Sequence, residues 1–148
     1  MSDRSGPFWD AVKGRAPLPR AAATLGLEVV EVDPDQGTIE LAFHPTEALT
    51  NPTGNVLGAF VAAMLYDTVG PALLATVEPD QFQSTLEQHV SFLRPVRPGR
   101  VSAHGRIIHR VGDTVFLEAS LTNADGDLAA ISTATAQVIQ LAEARNAA

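Results

Sequence analysis

The chain has 148 residues, 45% of them apolar and 18% charged, with 17 acidic against 10 basic side chains and a formal charge of −7. This composition suits one folded domain, residues 1–148, with a real core, and it excludes general disorder. The acidic balance argues against a nucleic-acid partner, which needs a basic face. The absence of cysteine removes disulfide scaffolds, thiolate metal sites and Cys nucleophiles.

The N-terminus, Met-Ser-Asp-Arg-Ser-Gly-Pro, lacks the basic-then-apolar pattern of a signal peptide, so a cytoplasmic location is expected. Phe8–Val12 and Pro19–Leu25 predict two short helices, the second stopped by Gly26. Leu27–Val32 and Thr38–Phe43 flank the turn Asp33-Pro34-Asp35-Gln36-Gly37 and predict a hairpin. His44–Asn55 reads as loop. Val56 to about Thr76 is too long for a strand and rich in Ala, Leu and Met, which predicts a helix that Pro71 either kinks or limits.

Val56–Val77 carries a single charge, Asp67, and in that respect resembles a membrane span. A carboxylate at its centre would cost ~3 kcal/mol, Gly70-Pro71 interrupts it, and no Lys or Arg anchors its ends, so no membrane partner is expected. A helix that is apolar nearly all round must instead be enclosed. Four β-like runs follow, Phe82–Leu93, Arg100–Arg110, Thr114–Thr122 and Leu128–Leu141, separated by turns rich in Pro, Gly, Asn and Asp. The predicted class is α+β: a curved antiparallel sheet wrapped around one long helix, with short helices before it. The termini, 1–7 and 142–148, are expected to fray.

Asn51-Pro52-Thr53-Gly54-Asn55-Val56-Leu57-Gly58-Ala59 feeds two glycines into a helix start. Backbone N–H groups there suit an anion or a developing oxyanion. Asp67 is the lone carboxylate of the enclosed helix. It is either a base or nucleophile with a raised pKa, or a residue that caps a neighbouring loop or faces a subunit boundary. On a regular strand Thr85, Glu87, His89 and Ser91 share one face. A Glu87/His89 acid–base pair is conceivable, but a polar sheet face is the simpler reading. His44, His104 and His109 have no ligand spacing, so no metal site is expected. Arg94, Arg97, Arg100, Arg106 and Arg110 place five of the ten cations within 17 residues. They either engage phosphates or form a solvated basic edge. Trp9 reads as a packing anchor rather than a ligand stack.

Three segments together, Asn51-x-x-Gly54-x-x-Leu57-Gly58-Ala59, the helix with Asp67-Thr68, and Thr85-x-Glu87-x-x-Val90-x-Phe92-x-x-Pro95, resemble the hotdog-fold thioesterases. The resemblance is to the phenylacetate-pathway (PaaI-like) branch of the 4-hydroxybenzoyl-CoA thioesterase superfamily, and it spans roughly Leu25–Leu141. It implies two subunits joined into one continuous sheet with the active site between them: a homodimer, possibly a dimer of dimers. It also implies hydrolysis of an acyl-CoA, aromatic or medium-chain, with no cofactor beyond the coenzyme A of the substrate.

By position, the resemblance makes Gly58 the donor to the thioester oxygen, Asn51 and Thr85 the residues that orient thioester and water, and a helix carboxylate the base or nucleophile. Leu57, Ala59, Tyr66, Arg94 and Arg97 become substrate-contacting positions. Leu57 stands where the family has His or Gln, and Ala59 where it has a second glycine. The usual carboxylate position falls on Tyr66, with Asp67 one residue later. Either a local bulge at the helix start brings Asp67 into place, or the usual carboxylate is missing. As the lone charge, Asp67 is the expected catalytic group. A module that binds an acyl-CoA or small aromatic ligand without cleaving it is the alternative. A hotdog dehydratase is set aside for want of a His paired with a helix carboxylate.

Overall fold

The computed structural model describes residues 4–148. Six antiparallel strands form one sheet in the order β1-β2-β4-β5-β6-β3: β1 Glu28–Asp33, β2 Thr38–Phe43, β3 Gln81–Phe92, β4 Val101–Val111, β5 Thr114–Thr122 and β6 Leu128–Gln140. The short helices α1 (Pro7–Val12) and α2 (Arg20–Leu25) precede the sheet, and the long helix α3 (Gly58–Leu74) lies against it. Every predicted element is present, with ends moved by one or two residues. The expected α+β wrap is the observed one.

Alternating apolar residues of the strands pack on α3. Ile39, Leu41, Phe43, Val101, Ala103, Val115, Leu117 and Leu121 are buried with Val61, Met64, Leu65, Val69 and Leu73 of the helix. The closest approach is at Gly105 of β4, where a Cβ would stand 2.9 Å from Thr68 Cγ2 and 3.3 Å from Thr68 O. Thr68 is fully buried and satisfies its hydroxyl by donating to Met64 O at 2.7 Å. Helix and sheet touch backbone to backbone here because Gly105 has no side chain.

One expectation needs correction. The helix is covered on three sides only: Ala59 and Tyr66 are exposed and Ala62 and Ala63 half-buried, an uncovered stripe at helical spacing. Pro71 lies inside α3, which ends three residues later at Leu74. It lacks the N–H that would bond the carbonyl of Asp67 four residues earlier. Leu141–Asn146 forms a 3-10 helix, Leu141 N–H donates to Asp80 O at 2.8 Å, and Ser84 Oγ donates to Ala148 O at 2.7 Å. At the other end residues 1–3 lie outside the described residues, and Gly6 packs on Pro79 next to the start of α1.

β3 also departs from regular alternation. A bulge at Leu86 shifts the register from Thr85↔Ala136 to Glu87↔Thr135, so Thr85 and Glu87 fall on opposite faces. Thr85 is on the helix side with Gln83, Gln88 and Val90. Glu87 points outward, where its carboxylate accepts the Thr135 hydroxyl at 2.9 Å.

Adding a methyl at Gly105 forces helix and sheet apart. Gly105→Ala should lower unfolding stability by about 1–3 kcal/mol, read as a reduced urea midpoint with an unchanged m-value.

Candidate active site

Three strand-to-helix contacts locate the site. Gln83 lays its amide against Gly70, where a Cβ would meet Gln83 Nε2 at 3.0 Å. Gln88 Nε2 donates to Ala62 O at 3.2 Å. The Phe92 ring lies where a Gly58 Cβ would be 3.4 Å away. β3 therefore runs antiparallel to α3. Thr85, between Gln83 and Gln88, lies at the level of Tyr66 and Asp67. The Thr85 hydroxyl is buried and donates to Gln83 Oε1 at 3.0 Å.

At the start of α3 no side chain caps the helix. The N–H groups of Phe60 and Val61 turn back to Leu57 O at 2.8 and 3.1 Å. The amides of Gly58 and Ala59, the first two of the helix, have no acceptor within it, and they sit at its positive end. Asn51 shapes the preceding loop. Its Oδ1 accepts from Thr53 N, Thr53 Oγ1 and Asn55 N at 3.0, 2.7 and 3.2 Å, so only its Nδ2 is left to meet a substrate. Gly54, at φ +86°, completes that turn.

Asp67 is nine residues into α3, and of the two alternatives, a bulge at the helix start or a missing carboxylate at the usual position, the helix unbroken from Gly58 shows no bulge. Tyr66, at the position the resemblance assigns to the carboxylate, is 44% exposed. Asp67 Oδ2 is buried without a hydrogen-bond partner. Burial without a compensating charge pushes its carboxyl up from 3.8 to about 6. Asp67 lines a cavity of about 650 Å³ walled by α3, β1–β3 and the α1–α2 segment. Leu27, Val29, Ile39, Leu41, Leu74 and Trp9 make it largely apolar. Trp9 is buried as the expected anchor, and the N-terminal segment around it is also a wall of the cavity, for which the sequence carries no signal.

The basic run separates into engaged and free members. Arg100 pairs with Glu28, Arg106 with Glu118 and Arg110 with Asp113. Hydrogen bonds from His44 and then Arg100 hold the Glu28 carboxyl below its usual range. Arg94 donates to Leu128 O at 2.7 Å. Arg97 is exposed and, alone of these five, has no partner. His89 and His104 border a second hollow of about 270 Å³ on the outer face of the sheet. His104 is bonded there to Glu40. Among the described residues no three His, Asp or Glu side chains are grouped to hold a metal, and no helix is long and apolar enough to cross a membrane.

Known proteins share this fold. The family model of the thioesterase superfamily matches residues 53–130. A candidate thioesterase, the phenylacetic acid degradation-related protein of Ralstonia eutropha JMP134, is 35% identical over 88% of this chain and 98% of its own, with a TM-score of 0.85. A candidate esterase of Saccharolobus solfataricus is 26% identical over 106 residues, 72% of this chain and 74% of its own length. A Streptococcus mutans UA159 structure bound to acetyl CoA is 18% identical, with 77% and 89% of the two chains covered and a TM-score of 0.69. With its long helix wrapped by one antiparallel sheet and more than half its length matched by the family model, this chain belongs to the thioesterase superfamily and has the PaaI-like hotdog fold.

Proposed function

We propose that the protein hydrolyses acyl-CoA thioesters at a site built from two copies of the chain. The observation that carries this reading is the separation of the two reactive features on α3. Gly58 and Asp67 are nine residues apart, about 13.5 Å along the axis and half a turn around it. A carbonyl held by the Gly58 amide is out of reach of a water held by Asp67 in the same copy. Both must lie within about 3 Å of the reacting centre.

A second copy removes the difficulty. β3 is a 12-residue edge strand, and a free edge of that length pairs readily with another. In a full-length antiparallel overlap, Phe92 of one copy lies opposite Gln81 of the other. Phe92 touches Gly58, whereas Gln83 touches Gly70, one turn from Asp67. The pairing therefore carries Gly58 of one copy toward Asp67 and Thr85 of the other. It also covers Leu86 and Phe92, 54% and 57% exposed, and the bare stripe of α3.

In this reading the Gly58 and Ala59 amides bind the developing oxyanion and Asp67 of the second copy takes a proton from water. Thr85 and Asn51 Nδ2 orient the reacting groups, Leu57 and Tyr66 flank the thioester, and Arg97, with Arg94 beside it, faces the phosphates of coenzyme A. The acetyl CoA bound to the S. mutans neighbour supports a CoA thioester as substrate. Stabilisation by CoA esters without thiol release would instead favour the non-catalytic binding module.

Asp67 acts as base only when ionised, so kcat/KM on a CoA thioester panel should rise with pH through about 6. Asp67→Asn should lose about 10²–10⁴-fold and the pH dependence with it. Stability moves the other way. With a folded pKa above the ordinary 3.8, the native state holds the proton more tightly. That contribution is complete below pH ~4 and lost as pH rises through about 6. Asp67→Asn should therefore melt higher than the parent at pH 8 and alike at pH 4.

Gly58→Pro removes the amide hydrogen at a helix position where proline is well accommodated. It should cost about 10²–10³ in kcat with the fold retained. Mixing Gly58→Pro with Asp67→Asn tests the shared site. Random pairing gives one intact site in half of the dimers, hence about a quarter of parental activity. Absence of recovery after confirmed subunit exchange refutes the two-copy site.

A further inference from the structure

The chain has 10 Lys and Arg and 4 His, yet among the described residues none of them lines the 650 Å³ cavity beside Asp67. Its charged lining is wholly acidic: Asp10, Asp67 and Glu78. Asp10 is half-exposed and faces Arg15 at 3.9 Å, and Glu78 is open to solvent. Asp67 stands alone on the inner wall, where burial raises its carboxyl to about 6 with no cation to offset it. The rest of the wall, from β1, β2, α3 and the α1–α2 segment, is largely aliphatic and aromatic, and the volume is in the range of small-ligand sites. An ionised group brought into this space loses its hydration and meets no counter-charge. Once Asp67 is ionised, a second carboxylate meets a like charge as well. A neutral apolar group meets neither obstacle.

We infer that this cavity is the chamber for the acyl group and that it selects by charge: neutral, mainly apolar acyl groups enter, and those ending in a carboxylate are turned away. That the group arrives as a thioester rests on the hydrolase reading; the charge selection of the chamber does not.

The test compares three CoA thioesters at pH 8, where Asp67 is ionised: octanoyl, 7-carboxyheptanoyl and the methyl ester of the latter. The methyl ester is larger than the carboxylate but neutral, which separates size from charge. Both neutral compounds should exceed the carboxylate by more than about tenfold in kcat/KM. A carboxylate cleaved within tenfold of either one overturns the selection. As N-methylamides the same groups carry no thioester, and fluorescence of Trp9, the only tryptophan of the chain and part of the cavity wall, reads their binding. The neutral amides should again bind more than about tenfold tighter than the carboxylate, and Val29→Phe, which fills part of the cavity, should weaken them. Neutral amides that leave Trp9 fluorescence unchanged, or that bind Val29→Phe as well as the parent, overturn the chamber. Should Val29→Phe fail to fold, the parental fluorescence decides alone. If the parent cleaves none of the thioesters while the neutral amides bind selectively, the hydrolase reading fails and the chamber stands.

Discussion

The structure depends on covering a 17-residue helix whose only charge is Asp67. Such a helix cannot rest on a flat sheet, because its far side would stay wet. The curved sheet covers most of it, and Gly105 lets the two backbones meet at Thr68. The α1–α2 segment covers the Asp67 side at a distance and encloses a cavity instead of filling it. The remaining stripe, with the edge strand β3 beside it, is left open. One imbalance between apolar helix surface and available sheet thus produces the core, the cavity and the exposed stripe together.

Much of this was legible in the chain. Turn residues at Asp33–Gly37, Val111–Asp113 and Asn123–Gly126 separate the strands wherever the chain reverses, and the run from Val56 could only be a helix. Gly58 with Ala59 was readable as a helix start because backbone donors there need no side-chain signature. The family resemblance supplied the idea of a shared site, and the nine-residue spacing on α3 gives that idea a physical reason.

What stayed illegible depends on contacts distant in sequence. The Leu86 bulge leaves no mark in composition, and a strict period of two put Thr85 and Glu87 on the same side. Arg94, Arg100, Arg106 and Arg110 looked like one basic cluster, but each is spent on a partner 2–72 residues away. Asn51 carries no sign that its carbonyl oxygen is consumed by its own loop. The helix at the C-terminal segment and the walling role of Trp9 follow only from docking against Asp80, Ser84 and α3. Propensity cannot see that.

The wall around Asp67 has two origins. Part of it comes from α3 and the strands, whose side chains also hold the core. The rest comes from Pro7–Val12, Leu18, Ala22 and Leu141, outside the sheet–helix sandwich. Substitutions in that second set reshape the hollow without disturbing the close approach at Gly105. The shape of the hollow and the integrity of the scaffold are therefore set by two different groups of side chains.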